Sequence, residues 1–177
     1  MKRLTIVLCL VLSGATPALA ADKPGEGNAG LHHPEIVAVR NIFRSVERDI
    51  ARKRLQKQQR TVEGCSPFGE ERTIFSDGNG RVRKYVWEGG SSDSAVTIRQ
   101  YYDDQGRMRF VFIMGGAVNG TELEHRIYLD ERGARIRETR DLKAGPGWTF
   151  PQFSDEEGLL ARAPLQAYEK NCGSRSP

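Results

Sequence analysis

Residues 100–114 read QYYDDQGRMRFVFIM, and this stretch decides the fold. Asp103 and Gly106 sit between two runs rich in apolar and aromatic side chains. An Asp opening a type I turn accepts hydrogen bonds from the turn amides, and a Gly at the fourth position takes the positive φ that closes a bulged hairpin. The run Phe110-Val111-Phe112-Ile113-Met114 is apolar without interruption, so alternation leaves it no wet side. It reads as a central strand covered on both faces. Setting Asp103 opposite Arg107 places Tyr102 opposite Met108, Ile98 opposite Phe112 and Val96 opposite Met114. That register gives one apolar side. The reverse side holds Thr97, Arg99, Tyr101, Arg107 and Arg109, together with Val111 and Ile113.

The turn recurs on both sides of this hairpin. An aromatic residue, an Asp two positions later and a Gly three beyond it occur as Phe75, Asp77 and Gly80, as Tyr101, Asp103 and Gly106, and as Tyr128, Asp130 and Gly133. Two strands and two turns fit one such period, with intervening turns at 89–93 and 115–120. The spacing predicts six strands at 71–76, 81–88, 95–102, 107–114, 122–129 and 134–140, joined by short connections into an antiparallel meander. The Tyr-Asp-x-x-Gly units resemble the hairpins of YD-repeat proteins. The resemblance covers the turns alone and implies hairpin geometry, not an activity. In the outer hairpins the same register sets Leu129 beside Arg135 and Ile74 beside Lys84, which mixes apolar and charged residues on one side.

Upstream the period changes. Ile36, Val39, Phe43, Val46 and Ile50 recur at steps of three and four, with Ile42 beside them, as on the buried stripe of an amphipathic helix. Pro34 suits the first turn and Glu35 the positive end of the dipole. Arg48, Arg52, Lys53, Arg54, Lys57 and Arg60 suit the negative end, so the helix is expected over 34–58, about 37 Å long. Downstream, the loop from Gly145 to Phe153 leads to Ser154 as an N-cap for a short helix ending near Arg162. Pro164 opens a last turn expected to carry Leu165 and Tyr168 inward. The fold class is α+β: a long N-terminal helix packed on a curled antiparallel β-meander of about six strands, with a short helical C-terminal segment.

The chain opens with Lys2 and Arg3, then an apolar run from Leu4 to Leu12, then Ala18-Leu19-Ala20 behind Pro17. That is the plan of a cleavable secretory signal peptide, and the apolar run is about half of what a membrane-spanning helix needs. The expected organisation is a signal peptide over 1–20 cleaved after Ala20, a flexible lead-in over 21–33, one α+β domain over 34–173 and a tail over 174–177. The expected location is the periplasm or the extracellular medium, with no transmembrane segment after cleavage. Cys9 leaves with the leader. Cys65 and Cys172 are then expected to form one disulfide, worth roughly 4–5 kcal/mol through loop closure.

The whole chain carries 27 basic and 23 acidic residues, a mild excess that gives no reason to expect a nucleic-acid partner. No serine lies in a nucleophile elbow and no strand leads through a Gly-rich loop into a helix. His32 and His33 are adjacent, and alternation sends Glu124 and Arg126 to the opposite face from His125. No catalytic residue, metal ligand or cofactor is assigned. The residues that suit an anionic ligand are Arg83, Tyr85, Trp87, Arg99, Tyr101, Arg107 and Arg109, read as one basic and aromatic side of the meander, with Trp148 on the C-terminal loop. The function expected is an exported, non-catalytic binding module for an anionic or amphipathic envelope ligand or a partner protein. The alternatives are a small secreted hydrolase with a carboxylate site, and an inhibitor or chaperone-like accessory protein.

Overall fold

A computed structural model describes residues 30, 32–64, 69–147 and 160–171. Helix α1 (Pro34–Ala51) is followed by seven strands: β1 (Gln56–Val62), β2 (Glu70–Ser76), β3 (Val82–Gly90), β4 (Ser94–Tyr102), β5 (Met108–Ala117), β6 (Glu122–Leu129) and β7 (Arg135–Ala144). A short helix α2 (Pro164–Glu169) closes the described chain. The strands form one antiparallel sheet in sequence order, the meander that the turn spacing predicts.

The three aspartate turns repeat atom for atom. Oδ1 of Asp77 accepts from the amides of Asn79 and Arg81, that of Asp103 from Gln105 and Arg107, and that of Asp130 from Arg132 and Ala134, all at 2.8–3.0 Å. Gly80, Gly106 and Gly133 each donate to the carbonyl of their Asp and take φ of 76°, 78° and 82°. Burial pushes the Asp103 carboxyl up, but hydrogen bonds and charge from Arg107 prevail and hold it below the usual carboxylate range.

One residue beyond each of these turns the register slips. Tyr102 does pair with Met108, yet Tyr101 pairs with Phe110, leaving Arg109 as an extra residue. The expected pairings Ile98–Phe112 and Val96–Met114 are therefore corrected to Ile98–Ile113 and Val96–Gly115. A bulge re-aims the strand that carries it, so the two sides of β5 exchange relative to the reading from alternation. The outer hairpins slip in the same place, with Arg83 and Ile136 as the extra residues. Ile74 thus pairs with Tyr85 rather than Lys84, whereas Leu129 does sit opposite Arg135.

The bulges sort the sheet into two faces. On the inner face Ile74, Tyr85, Ile98, Tyr102, Val111, Ile113, Ile127 and Leu129 form a buried cluster with Leu160 and Ala161. The C-terminal segment lies against this face. The Tyr102 hydroxyl donates to the Ala161 carbonyl at 2.6 Å, and the Ala161 amide donates to Gln100 Oε1 at 2.7 Å. The Arg72 guanidinium donates to the Ala167 carbonyl at 2.8 Å, and that of Arg60 to the Glu169 carbonyl at 3.2 Å. Pro164 does open the last helix, but Leu165 is 47% exposed; Ala167 and Tyr168 make the inward contact. Arg162 is not helical, and the expected helix start at Ser154 lies outside the described residues.

On the outer face α1 packs across β4, β5 and β6. Ile36, Val39 and Val46 meet Tyr101, Phe110 and Tyr128, with Phe43 edge-on to Tyr101 at 5.1 Å between ring centres. The helix ends at Ala51, not at 58. Its last turn is closed by a Schellman pair, Lys53 N–H to the Ile50 carbonyl and Arg54 N–H to the Asp49 carbonyl, with Lys53 at φ 55°. A lysine in place of the usual glycine hides that stop in the sequence. The seventh strand, β1, is the other correction. Its sequence QKQQRTV is polar on both sides and mostly exposed, so this edge strand lacks the hydrophobic alternation by which strands are read. Among the described residues no helix is long and apolar enough to cross a membrane.

Candidate functional site

The helix covers only part of the outer face, and the cleft forms where it stops. Strand register places Lys84, Tyr101, Phe110, Tyr128 and Arg137 in one row across the sheet. The next row on the same face is Val86, Arg99, Phe112, Arg126 and Thr139. The first row lies under α1; the second runs beside it. Between them opens a cleft of about 380 Å³. Phe110, Phe112 and Tyr128 line it from the sheet, Val39 and Phe43 from the helix, and Arg40, Arg44 and Arg126 complete it.

Two ion pairs hold the helix over this cleft. Near its N-terminus Glu35 meets Arg109 at 3.0 Å; one turn from its end Glu47 accepts from Lys84 Nζ at 2.6 Å and from the Tyr101 hydroxyl at 2.8 Å. Burial, reinforced by the negative Glu47, pushes the Tyr101 phenol well above its ordinary value, so it stays a donor. Lys84 Nζ also lies 5.1 Å from the centre of the Tyr101 ring. Arg40 and Arg44 stand between these anchors and have no carboxylate partner among the described residues. Arg126 is different: it bonds Glu124, meets Asp141 at 2.9 Å and lies 4.9 Å from the Phe112 ring centre. Arg99 stands beside Phe112 in register, again with no ion pair among the described residues. An aromatic floor with two or three unneutralised guanidiniums beside it suits a molecule with an apolar body and an anionic group.

The residues singled out in the sequence do not gather on one side. Arg99, Tyr101 and Arg109 share the outer face, but the Tyr85 and Trp87 rings belong to the inner cluster. Tyr85 is buried, which pushes its phenol up to about 12, and Trp87 Nε1 donates to Glu70 Oε2 at 2.8 Å. Arg109 is 3% exposed and tied to Glu35, Asp103 and the Leu129 carbonyl. Arg83 occupies the equivalent bulge one hairpin earlier, with its Nε toward the Tyr102 carbonyl and Nη1 2.7 Å from Asp104. Arg107 braces its own turn through Asp103 at 2.8 Å. Of the set, only Arg99 neighbours the cleft without being consumed by a structural contact. Trp148, Cys65 and Cys172 lie outside the described residues. Sequence reasoning missed Arg40, Arg44, Phe112 and Arg126 as a group. The i, i+4 spacing of Arg40 and Arg44 on the flank of the apolar stripe was the available signal.

A histidine–carboxylate pair also exists that local alternation does not build. His125 Nε2 lies 2.7 Å from Glu138 Oε1, one strand away on the inner face. Burial lowers the His125 pKa against the opposing pull of Glu138, so the ring is neutral at pH 7. Glu138 is shared with Arg140 at 2.8 Å and Arg135 at 3.0 Å; burial would raise its pKa, but these hydrogen bonds keep it low. The pair, a buried His125 with a partly exposed Glu138, lies on the face opposite the cleft, and its geometry is that of a structural tie between β6 and β7. Among the described residues no group of three or more His, Cys, Asp or Glu side chains could hold a metal ion. Compared with protein-family models, curated proteins and solved structures, the chain matches none of them.

Proposed function

We propose that the protein is an exported binding module whose cleft between α1 and the outer face of the sheet takes an anionic amphiphile. The observation that carries the reading is the pairing of Arg40 and Arg44, both without a carboxylate partner among the described residues, with the aromatic floor of Phe110, Phe112 and Tyr128. Unpaired guanidiniums beside water are inexpensive, and an anion that docks in fork geometry gains charge-assisted hydrogen bonds. A floor of rings supplies the apolar half of the recognition. A cleft of about 380 Å³ is in the range of small-ligand sites.

Export rests on the basic, apolar and small-residue segments of the first twenty residues. The disulfide reading fits the same compartment. It is supported by Arg60 of β1, whose Nη2 donates to Asn171 Oδ1 at 2.7 Å. That contact brings the neighbour of Cys172 against the strand that precedes Cys65.

The test is calorimetric titration of the domain with dodecyl phosphate below its micelle concentration, and with dodecyl maltoside as the neutral counterpart. Dodecyl phosphate is expected to bind and the maltoside to bind at least tenfold more weakly. Arg40→Ala with Arg44→Ala should reduce dodecyl phosphate affinity about tenfold or more, with an unchanged melting temperature. Equal affinity of parent and double variant would overturn the reading.

A further inference from the structure

The three acidic residues of α1 are all engaged. Glu35 meets Arg109, Glu47 meets Lys84, and Asp49 meets Arg54 at 3.4 Å. The arginines are not. Arg40, Arg44 and Arg48 recur every four residues along α1, and Arg52 caps it; none has a carboxylate partner among the described residues, and Arg48 reaches only the Ser45 hydroxyl. At a step of four the stripe drifts by about 40° per residue pair, from the cleft at Arg40 outward to solvent at Arg52. Val37, 41% exposed, stands one turn before it. Lys53 and Lys57 are exposed and continue the positive charge past the end of the helix. One side of the molecule is thus a continuous cationic ridge that begins at the cleft.

We infer that this ridge docks the protein on an anionic lipid leaflet, with the cleft opening next to the surface from which its amphiphile comes. The inference rests on the cleft reading for the ligand and on the ridge for the surface. Charge complementarity decides the occupant: acidic side chains of the helix are neutralised by the protein itself, so none of them offsets the arginines of the stripe, of which Arg44, Arg48 and Arg52 are exposed. An anionic leaflet is a flat, dense array of charged headgroups, and the exposed guanidiniums of Arg44, Arg48 and Arg52, spread over about 80° of the helix, can reach it together on their long side chains. Each basic residue held near such a leaflet strengthens partition roughly fivefold, and the attraction falls away within a Debye length. Continuity with an aromatic-floored cleft favours a lipid source over a soluble polyanion, which has no apolar part to fill it.

The test is co-sedimentation of the domain with phosphatidylcholine vesicles with and without phosphatidylglycerol, at low and high salt. The parent is expected to bind only the phosphatidylglycerol vesicles and to release in high salt. Arg48→Ser with Arg52→Ser lies beyond the cleft. It should weaken vesicle partition roughly 25-fold while leaving dodecyl phosphate affinity in solution unchanged. Unchanged vesicle binding by that variant, or equal binding to both vesicle types, would overturn the inference and leave the cleft reading standing. Vesicle binding that survives with no affinity for dodecyl phosphate would remove the cleft reading and with it the inferred lipid source. Displacement by soluble polyphosphate without any vesicle binding would make the ridge a polyanion site and refute the leaflet. A thermal melt of the variant checks that the fold is retained, as expected for the exposed side chains of Arg48 and Arg52.

Discussion

The two faces of the sheet are built from the same strands and end in different states. The inner face is sealed: its side chains meet Leu160, Ala161, Ala167 and Tyr168, and the backbone of that segment is bonded to Gln100, Tyr102, Arg60 and Arg72. The outer face is covered only along one row, because a single eighteen-residue helix lies across it. Apolar area removed from water stabilises in proportion to its extent, so the sealed face supplies most of the core. The partly covered face supplies the cleft. The difference teaches that on this sheet the cover, not the strand sequence, separates what holds the fold from what can bind.

Substitution should expose that contrast most sharply within one hairpin. Ile98 is fully buried on the inner face, and Ile98→Ala is expected to cost about 3 kcal/mol, read as a lower urea midpoint. Phe112, only partly buried in the next strand, should lose only about 1 kcal/mol on Phe112→Ala yet weaken dodecyl phosphate binding about tenfold. Equal stability losses at the two positions would break the comparison.

A second contrast lies between equivalent bulges. Arg109 and Arg83 both send Nε to the carbonyl of the residue before the next Asp, at 3.2 and 3.3 Å. Arg109 is covered by the helix and bonded to Glu35; Arg83 is paired with the exposed Asp104. Arg109→Ala should therefore cost about 2–3 kcal/mol and Arg83→Ala less than about 1, measured by the same unfolding curves. Identical costs would mean that the helix adds nothing to the bulge.

The smallest expected effect concerns the His125–Glu138 tie on the sealed face. The His125 pKa is lowered in the folded state, so between that value and the ordinary 6.5 the unfolded chain binds more protons. Stability contributed by the neutral ring is complete above the unfolded pKa and is lost as pH falls from there toward the folded one. His125→Gln should flatten this limb of a stability–pH profile taken just below neutrality. A profile with the same slope in parent and variant would assign the limb to other groups.

Much of the architecture was legible because it depends on local chemistry. The three Asp-x-x-Gly turns announce themselves, since only an acceptor at the first position and a residue free of a Cβ at the fourth satisfy that geometry. The start of α1 was legible for a similar reason: Pro34 and Glu35 suit the first turn and the dipole. The end of α1 was not, because Lys53 adopts the left-handed conformation that glycine usually signals. Nor was β1, whose side chains are polar on both sides. The facing of β5 failed for a third reason. A bulge adds one residue to the strand, and a single added residue turns every later side chain over. That step moved Phe112 from the expected core to the cleft, while the β3–β4 register, which sets Lys84 rather than Tyr85 opposite Tyr101, put the Tyr85 and Trp87 rings on the other face.

By itself, then, the sequence determined the meander, its turns and an amphipathic helix ahead of it, because spacing and turn chemistry act between near neighbours in the chain. Only the tertiary structure decided which rings face the helix, that Arg109 is consumed by Glu35, and that Arg40 and Arg44 are left without partners beside an aromatic floor. Those outcomes depend on where the helix crosses the sheet and on one-residue shifts in register. Both are settled by contacts between residues far apart in the chain.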